Sequence, residues 1–430
     1  MTKKKPEILV LGGNFAGLAS AQRIREYCGD AVNITLIERR DYLLYVPNIP
    51  ADVMDNRDPG KHQVMPLRPI LDDDDIAFIQ GAVCGLDVDA KTVSFIPGER
   101  PGGEVETIAY DYLVVALGAN FAYDRIEGFA EHGYTVSDLY HGERLRAFLF
   151  DGGYKGGPIA IGSARFHQGD GADGLEPYPG GSIPRAAAGC EGPVLEMTTA
   201  MATFLKQQNI GEPSLITTFT PGEMVAEDAG VNNINAFLKM ASGMGVHYRN
   251  NVQDIKALTP EGITFADGTQ LESELNLVLP DYVAHEFLLD QPICDNMGFV
   301  KTNLLMRNPE YPEVFAAGDC AAVTIPKQAA IGHQETDIIG RQVAFDLGLL
   351  DDEEANKPLQ PMVFCIGDMG AGKAFYVRSN TYFGGDVEVL KIGRIPFMLK
   401  MQYRRMFFDL KGKVPDWGIG AARLAAEGHV

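Results

Sequence analysis

Nowhere in the 430 residues do about 18 apolar positions run together, so an ordinary membrane-spanning helix is not expected. Positive charge is scarce. Only 37 Lys and Arg stand against 58 Asp and Glu, a formal net charge of -21, and a surface of that sign repels phosphate backbones and leaves no footprint for a nucleic-acid partner. Cysteine is sparse as well: Cys28, Cys84, Cys190, Cys294, Cys320 and Cys365 include no Cys-x-x-Cys spacing, which argues against a disulfide scaffold and a zinc ribbon. No metal site is expected, and any cysteine function is redox chemistry at one place. No apolar leader precedes the strand that begins at Glu7, so a cleavable signal segment is not expected either.

With 46% hydrophobic residues, a chain of this length exceeds what one core usually organises, and at least two domains are expected. The opening Ile8-Leu-Val-Leu-Gly-Gly-Asn-Phe-Ala-Gly17 reads as a buried parallel strand, a tight glycine turn and a helix start. Gly12 and Gly17 hold the outer positions of a G-x-G-x-x-G pattern, and Asn14 replaces the middle glycine. Asparagine tolerates positive φ better than other side chains, so the turn is expected to survive there. The next strand ends in Glu38, where a ribose hydroxyl would be bound.

Two further strand-plus-turn units follow, Tyr112 to Ala119 with Gly118, and Glu313 to Cys320 with Gly318 and Asp319. With the first they resemble the three FAD signatures of the two-dinucleotide-binding-domain flavoproteins. The resemblance implies FAD, held by Gly12, Asn14, Gly17, Glu38, Gly118, Gly318 and Asp319. It also implies an α/β fold: two Rossmann-like dinucleotide-binding domains, 1–118 with 286–360 for FAD and 119–285 for the second, plus a C-terminal quinone and membrane-association region at 361–430. The second domain departs from the nucleotide pattern. Its opening strand, Gly157 to Gly162, runs into Ser163, Ala164, Arg165, Phe166 and His167 instead of a glycine turn, leaving no room for the pyrophosphate of NAD(P)H.

If a nicotinamide is not the donor, cysteines are the remaining redox-competent side chains. Cys190 opens a helix that carries Glu196, Cys365 closes the strand Met362 to Cys365, and a helix start or strand end favours the thiolate. The other four cysteines read as small buried hydrophobes. The same two segments are similar to those of sulfide:quinone oxidoreductases. That resemblance implies a redox pair of Cys190 and Cys365, Glu196 as acid and base, and Lys400 beside the meeting point of flavin and quinone. It further implies a quinone or substrate pocket with Tyr403, Phe407 and His141, and Pro47 close to the isoalloxazine. Sulfide would attack the cysteine pair, leave a persulfide on Cys190, and release a Cys365 thiolate that hands two electrons to the flavin. The third cysteine of that family is missing, and Ser137 stands in its place. A type II NADH:quinone dehydrogenase and a non-catalytic flavin-dependent sulfur sensor are the alternatives.

The stretch carrying Lys391, Arg394, Lys400, Arg404, Arg405, Lys411 and Lys413 runs against the acidity of the rest, with apolar positions 397, 398, 401 and 408 at helical spacing. This composition suits the headgroup layer of an anionic membrane. The expectation is a peripheral, monotopic protein at the cytoplasmic membrane, with sulfide and a membrane quinone as partners. A homo-oligomer is compatible with it.

Overall fold

Ile8, Leu9, Val10 and Leu11 are all buried in strand β1 (Glu7–Leu11), an apolar run without alternation that suits a parallel strand covered on both faces. The structure, a computed structural model, describes residues 4–98, 102–413 and 416–428, the side chains of 416–419 excepted. β1 lies in a seven-stranded sheet of order Val314–Ala316, Tyr112–Val115, β1, β2 (Asn33–Glu38), Ala77–Asp87, Thr92–Pro97 and Glu106–Ala109. The first five strands are parallel and the last two are added antiparallel. Helix α1 (Phe15–Cys28) leaves the end of β1, and helix α2 (Leu139–Phe150) leads towards a second sheet.

That second sheet has five parallel strands in the order Gly133–Tyr134, Leu275–Leu279, β3 (Ile159–Ser163), Ile216–Phe219 and His247–Arg249. Every residue of β3 is buried, and its chain continues through residues 164–191 into helix α3 (Gly192–Gln208). Helix α4 (Ala329–Asp346) returns to pack along α1. An antiparallel sheet of β4 (Val363–Gly370), β5 (Lys373–Ser379) and β6 (Glu388–Gly393) follows, and β4 packs against α3. Helices α5 (Arg394–Asp409) and α6 (Asp416–Glu427) end the described chain, α6 held to β5 by Arg378 Nε to Glu427 at 2.7 Å. The expected α/β class is the one found. No helix among the described residues is long and apolar enough to cross a membrane.

The β1–α1 turn is built differently from its expectation at one residue. Asn14 has φ -89° and caps α1 in an extended conformation, so its tolerance of positive φ is not used. The left-handed position is Gly12, at φ +103°, where a Cβ would lie 2.2 Å from the carbonyl oxygen of Ala116. Gly17 lets the helix approach the turn, since a Cβ there would be 1.9 Å from the oxygen of Gly12. Gly12→Ala combines backbone strain with overlap and is expected to cost on the order of 3 kcal/mol. A urea midpoint equal to that of the wild type would show that the turn relaxes freely.

Candidate active site

Three turns converge at the carboxyl edge of the first sheet. Glu38, at the end of β2, reaches back to this edge and accepts the N–H of Gly13 at 2.9 Å and that of Arg40 at 3.1 Å. Asn14 makes no side-chain cap on α1, and its Oδ1 is buried without a partner. Gly118 has φ +66° with open space where a Cβ would stand. Buried Glu335 accepts the N–H of Gly318 at 2.7 Å, and the half-buried Asp319 carboxyl is pushed up by loss of water, with Lys327 opposing the shift. Pro47 lies in the short turn Val46–Asn48 that begins after Tyr45, which packs on Phe15 at 5.7 Å and on Phe407 at 5.1 Å. A close backbone turn, an uncapped helix start and an orphaned polar oxygen are what a dinucleotide needs on this edge.

Cys190 and Cys365 meet at the start of α3. A Cβ on Gly192 would lie 3.3 Å from Cys365 Sγ and 4.0 Å from Cys190 Sγ. Strand β4 brings Cys365 there because it packs on α3, and the chain enters α3 through Cys190 and Glu191. Both are free thiols, partly covered by surface area but with enough protein around the sulfur for burial to dominate. Burial pushes the Cys365 thiol up to about 12, with Glu196 adding to the rise and Lys400 opposing it. The Cys190 thiol also rises well above its usual value, first from burial and then from Asp228, although the N–H of Gly192 favours its thiolate. The expected thiolate preference of a helix start is therefore overridden. Of the other cysteines, Cys28, Cys294 and Cys320 are buried as expected, whereas Cys84 is exposed on its strand.

Glu196 stands about one turn into α3 and is buried. Lys400 of α5, also buried, donates to its Oε1, and the N–H of Asp368 in β4 donates to the same oxygen at 3.0 Å. Burial raises the Glu196 carboxyl even against the neighbouring ammonium. Two acids that the sequence reading did not single out sit on the Cys190 side. Glu191 accepts from Ser163 Oγ and from the N–H of Ala226 at 2.7 Å, and burial brings both Glu191 and Asp228 up to about 7. The one local signal was the Cys190-Glu191 adjacency; the approach of Asp228 is tertiary.

The expected pocket residues divide. Tyr403, its phenol pushed up to about 12 by burial, lies 6.1 Å from the Phe364 ring, and both line a cleft of about 1000 Å³ between α1, α4 and α5. His333, held neutral by burial with a pKa of about 4, lines it too and was not foreseen. Phe407 does not line this cleft. It is 1% exposed, enclosed by Phe15, Tyr45 and Phe408, so it supports the site from behind. His141 is placed elsewhere, its Nδ1 2.8 Å from the Asp138 cap of α2 and its ring 4.5 Å from Tyr123.

Most cations of the basic C-terminal stretch are paired, and one of them is buried. Lys400 is buried on Glu196, Arg404 binds Gln63 at 2.9 Å and stacks on Phe408 at 4.7 Å, and Arg405 pairs with Asp409 at 3.4 Å. Lys411 and Lys413 pair with Asp73 and Asp74. Of the expected apolar face, Phe397, Met401 and Phe408 are partly buried, and exposure concentrates at Ile392, Ile395 and Met398 beside exposed Lys391 and Arg394.

Comparison with known proteins finds relatives in sequence and in fold. Residues 6–152 match the family of pyridine nucleotide-disulphide oxidoreductases. The sulfide-quinone reductase of Aquifex aeolicus is 23% identical over 421 residues, 93% of this chain and 90% of that protein. An NADH dehydrogenase-like protein of Mycobacterium tuberculosis is 26% identical over 430 residues, covering 96% of this chain and 98% of that one. The crystal structure of the sulfide:quinone oxidoreductase from Aquifex aeolicus superposes with a TM-score of 0.79 at 20% identity, over 97% of this chain and 95% of that one. The likeness to sulfide:quinone oxidoreductases holds in sequence and in fold. This chain is an FAD-dependent oxidoreductase, and the cradle around Gly12, Asn14 and Glu38 fits FAD.

Removing one partner of a buried ion pair strands the other, so Lys400→Met is expected to cost about 3–5 kcal/mol at alkaline pH. Glu196 can escape by taking a proton. The cost should shrink as pH falls towards the carboxylate range, because an acid with a raised folded pKa loses stability as pH rises. Urea unfolding at two pH values, with Lys400→Met/Glu196→Gln as the control that recovers stability, checks this. A cost independent of pH would mean the carboxylate is not what is stranded.

Proposed function

We propose that this FAD-dependent oxidoreductase oxidises sulfide with Cys190 and Cys365 and passes the electrons to a membrane quinone. The observation that carries the reading is the meeting of two sulfurs over Gly192, with the Glu196–Lys400 pair beside one of them. FAD, when bound, supplies a two-electron acceptor that a thiolate can reduce and a quinone can reoxidise. In the oxidised state the two cysteines form a disulfide, and sulfide attacks it at Cys190, leaving a persulfide there and a thiolate at Cys365. Lys400 lowers the cost of that thiolate, while burial raises the Glu196 carboxyl and suits it to exchange a proton. Tyr403, Phe364 and His333 offer an apolar, neutral wall for a quinone in the cleft.

A nicotinamide donor is disfavoured by what stands at the start of α3. In the second sheet, β3 and α3 are the strand and helix between which a pyrophosphate would sit, and Glu191 already places a carboxylate there, held by Ser163 and Ala226. A phosphate would meet a negative group where it needs a free helix N-terminus. The connection 164–191 is also packed down, with Tyr178 buried and donating to Val323 O at 3.2 Å.

Membrane contact is proposed for the edge formed by Ile392, Ile395 and Met398, which are 42%, 54% and 62% exposed, with Lys391 and Arg394 beside them. Large apolar side chains exposed together suit an interface, and each nearby cation adds about 1 kcal/mol at an anionic surface.

Two tests follow from this reading. Under anaerobic conditions sulfide should bleach the flavin of the wild type, NADH should not, and Cys365→Ser should abolish the sulfide response; normal bleaching of the serine variant would remove the mechanism. Replacing Ile395 and Met398 together by Glu should weaken co-sedimentation with anionic vesicles at least tenfold, about 1.4 kcal/mol. Unchanged binding would move the membrane face elsewhere.

A further inference from the structure

Asp228 is the buried acid to which the reaction above gives no task. It lies in the short turn Glu227–Ala229 and, with Glu191, Glu227, Pro326 and Tyr382, lines a cavity of about 10 Å³, room for about one water. The other two acids of the cavity have donors. Glu191 holds Ser163 Oγ and the N–H of Ala226, and Glu227 accepts the Tyr382 hydroxyl at 3.3 Å and the N–H of Ala187 at 3.4 Å. Asp228 is only 8% exposed, and among the described residues nothing but its own backbone N–H donates to it. A buried carboxylate in that state requires a proton or a donor from the cavity it faces. Each cysteine thus has its own acid, since Asp228 is the charge that weighs most on Cys190 and Glu196 the one that weighs most on Cys365.

We propose that Asp228 is the proton acceptor on the Cys190 side and that the site admits sulfide as neutral hydrogen sulfide rather than as the hydrosulfide anion. This rests on the sulfide reading above. The groups around Asp228 are Glu227 in its own turn, Glu191 before α3 and Tyr382 across the cavity, with Cys190 and Cys365 close enough to feel its charge. Tyr248 lies behind, bonded to the N–H of Val225, and Arg378 of β5 is taken by Glu427. No cation among the described residues lines the cavity, so an anion would enter against several carboxylates while a neutral molecule would not. Neutral hydrogen sulfide is a poor nucleophile until it loses a proton. In the balanced step its S–H proton passes to the Asp228 carboxylate, its sulfur bonds to Cys190 Sγ, and the Cys190–Cys365 bond breaks. The incoming sulfur is oxidised, and Cys365 leaves with the electron pair beside Lys400. Asp228 then returns its proton to the water of the cavity.

The test uses the holoenzyme. Flavin reduction by sulfide, followed anaerobically on both sides of neutrality, should rise and then fall with pH in the wild type, as Asp228 and then hydrogen sulfide lose a proton, whereas Asp228→Asn should be about a hundredfold slower near neutrality and climb only as hydrosulfide accumulates. Asp228→Glu should keep a limb, displaced in pH, and it carries the test if the Asn variant does not fold. In parallel, iodoacetamide labelling of the dithiothreitol-reduced holoenzyme, mapped by mass spectrometry, should speed up more at Cys190 than at Cys365 in Asp228→Asn, because Asp228 is the leading charge on the first thiol and weighs on the second only after Glu196 and Lys400. A wild-type pH profile in the Asn variant, a uniform slowing that leaves the profile intact, or unchanged labelling of Cys190 would each overturn the assignment. If sulfide fails to reduce the wild-type flavin, the sulfide reading falls, and the labelling still decides whether Asp228 acts on Cys190.

Discussion

Taking a carboxylate and an ammonium out of water costs several kcal/mol for each ion, and Glu196 and Lys400 offset this only against each other and the N–H of Asp368. That requirement fixes three elements at once. Glu196 belongs to α3, Asp368 to β4 and Lys400 to α5, so the pair can be satisfied only when the helix that begins beside Cys190, the strand that carries Cys365 and the C-terminal helix are all in place. The sulfur site inherits its geometry from this junction. It inherits its electrostatics as well: without the ammonium, Cys365 would face a lone carboxylate in a dry environment, and its thiolate would be far less accessible.

The start of α3 shows the same economy of charge on the other side. A strand followed by a helix in a parallel sheet usually offers its free N–H groups to a phosphate. Here a carboxyl group, Glu191, stands at that helix start, held by Ser163 and the N–H of Ala226 rather than capping α3, and the residue immediately before it is Cys190. A nucleotide-binding unit is thereby turned into a mount for a thiol. The connection 164–191 that replaces the glycine turn is long enough to pack its own Tyr178 and Phe166 into the structure, and Gly189 O receives the N–H of Lys327 at 2.7 Å, tying the cysteine loop to the turn after Asp319.

What was legible in the sequence is what is local. Gly12 and Gly17 are demanded by backbone atoms a few residues away or on the adjoining strand, and β1 announces its double burial by its lack of alternation. Asn14 was misjudged in conformation because the left-handed residue of the turn is two positions earlier. The pairing of Cys190 with Cys365 came from resemblance, since spacing alone says nothing about two segments so far apart in the chain. Asp228 was unreadable for the same reason: an acid in a polar stretch is ordinarily solvated, and only the packing of its turn against Tyr382 and the start of α3 removes the water. Arg404, Lys411 and Lys413 read as part of a membrane-facing set because their partners, Gln63, Asp73 and Asp74, lie more than three hundred residues earlier.

Strand β4 gives the proposed reaction its order in space. Successive side chains of a strand point to opposite faces. Phe364 lines the cleft with Tyr403, while its neighbour Cys365 faces Gly192 and Cys190 on the other side. In the proposed reaction a persulfide on Cys190 and an acceptor in the cleft would be separated by the thickness of a strand, and electrons would pass between them through the flavin rather than by direct contact. Direct contact would let a quinone react with the persulfide and strip sulfur from the wrong atom. The alternation of a single strand would prevent this without any moving part, and only while Glu196 and Lys400 hold β4 in register between its two neighbouring helices.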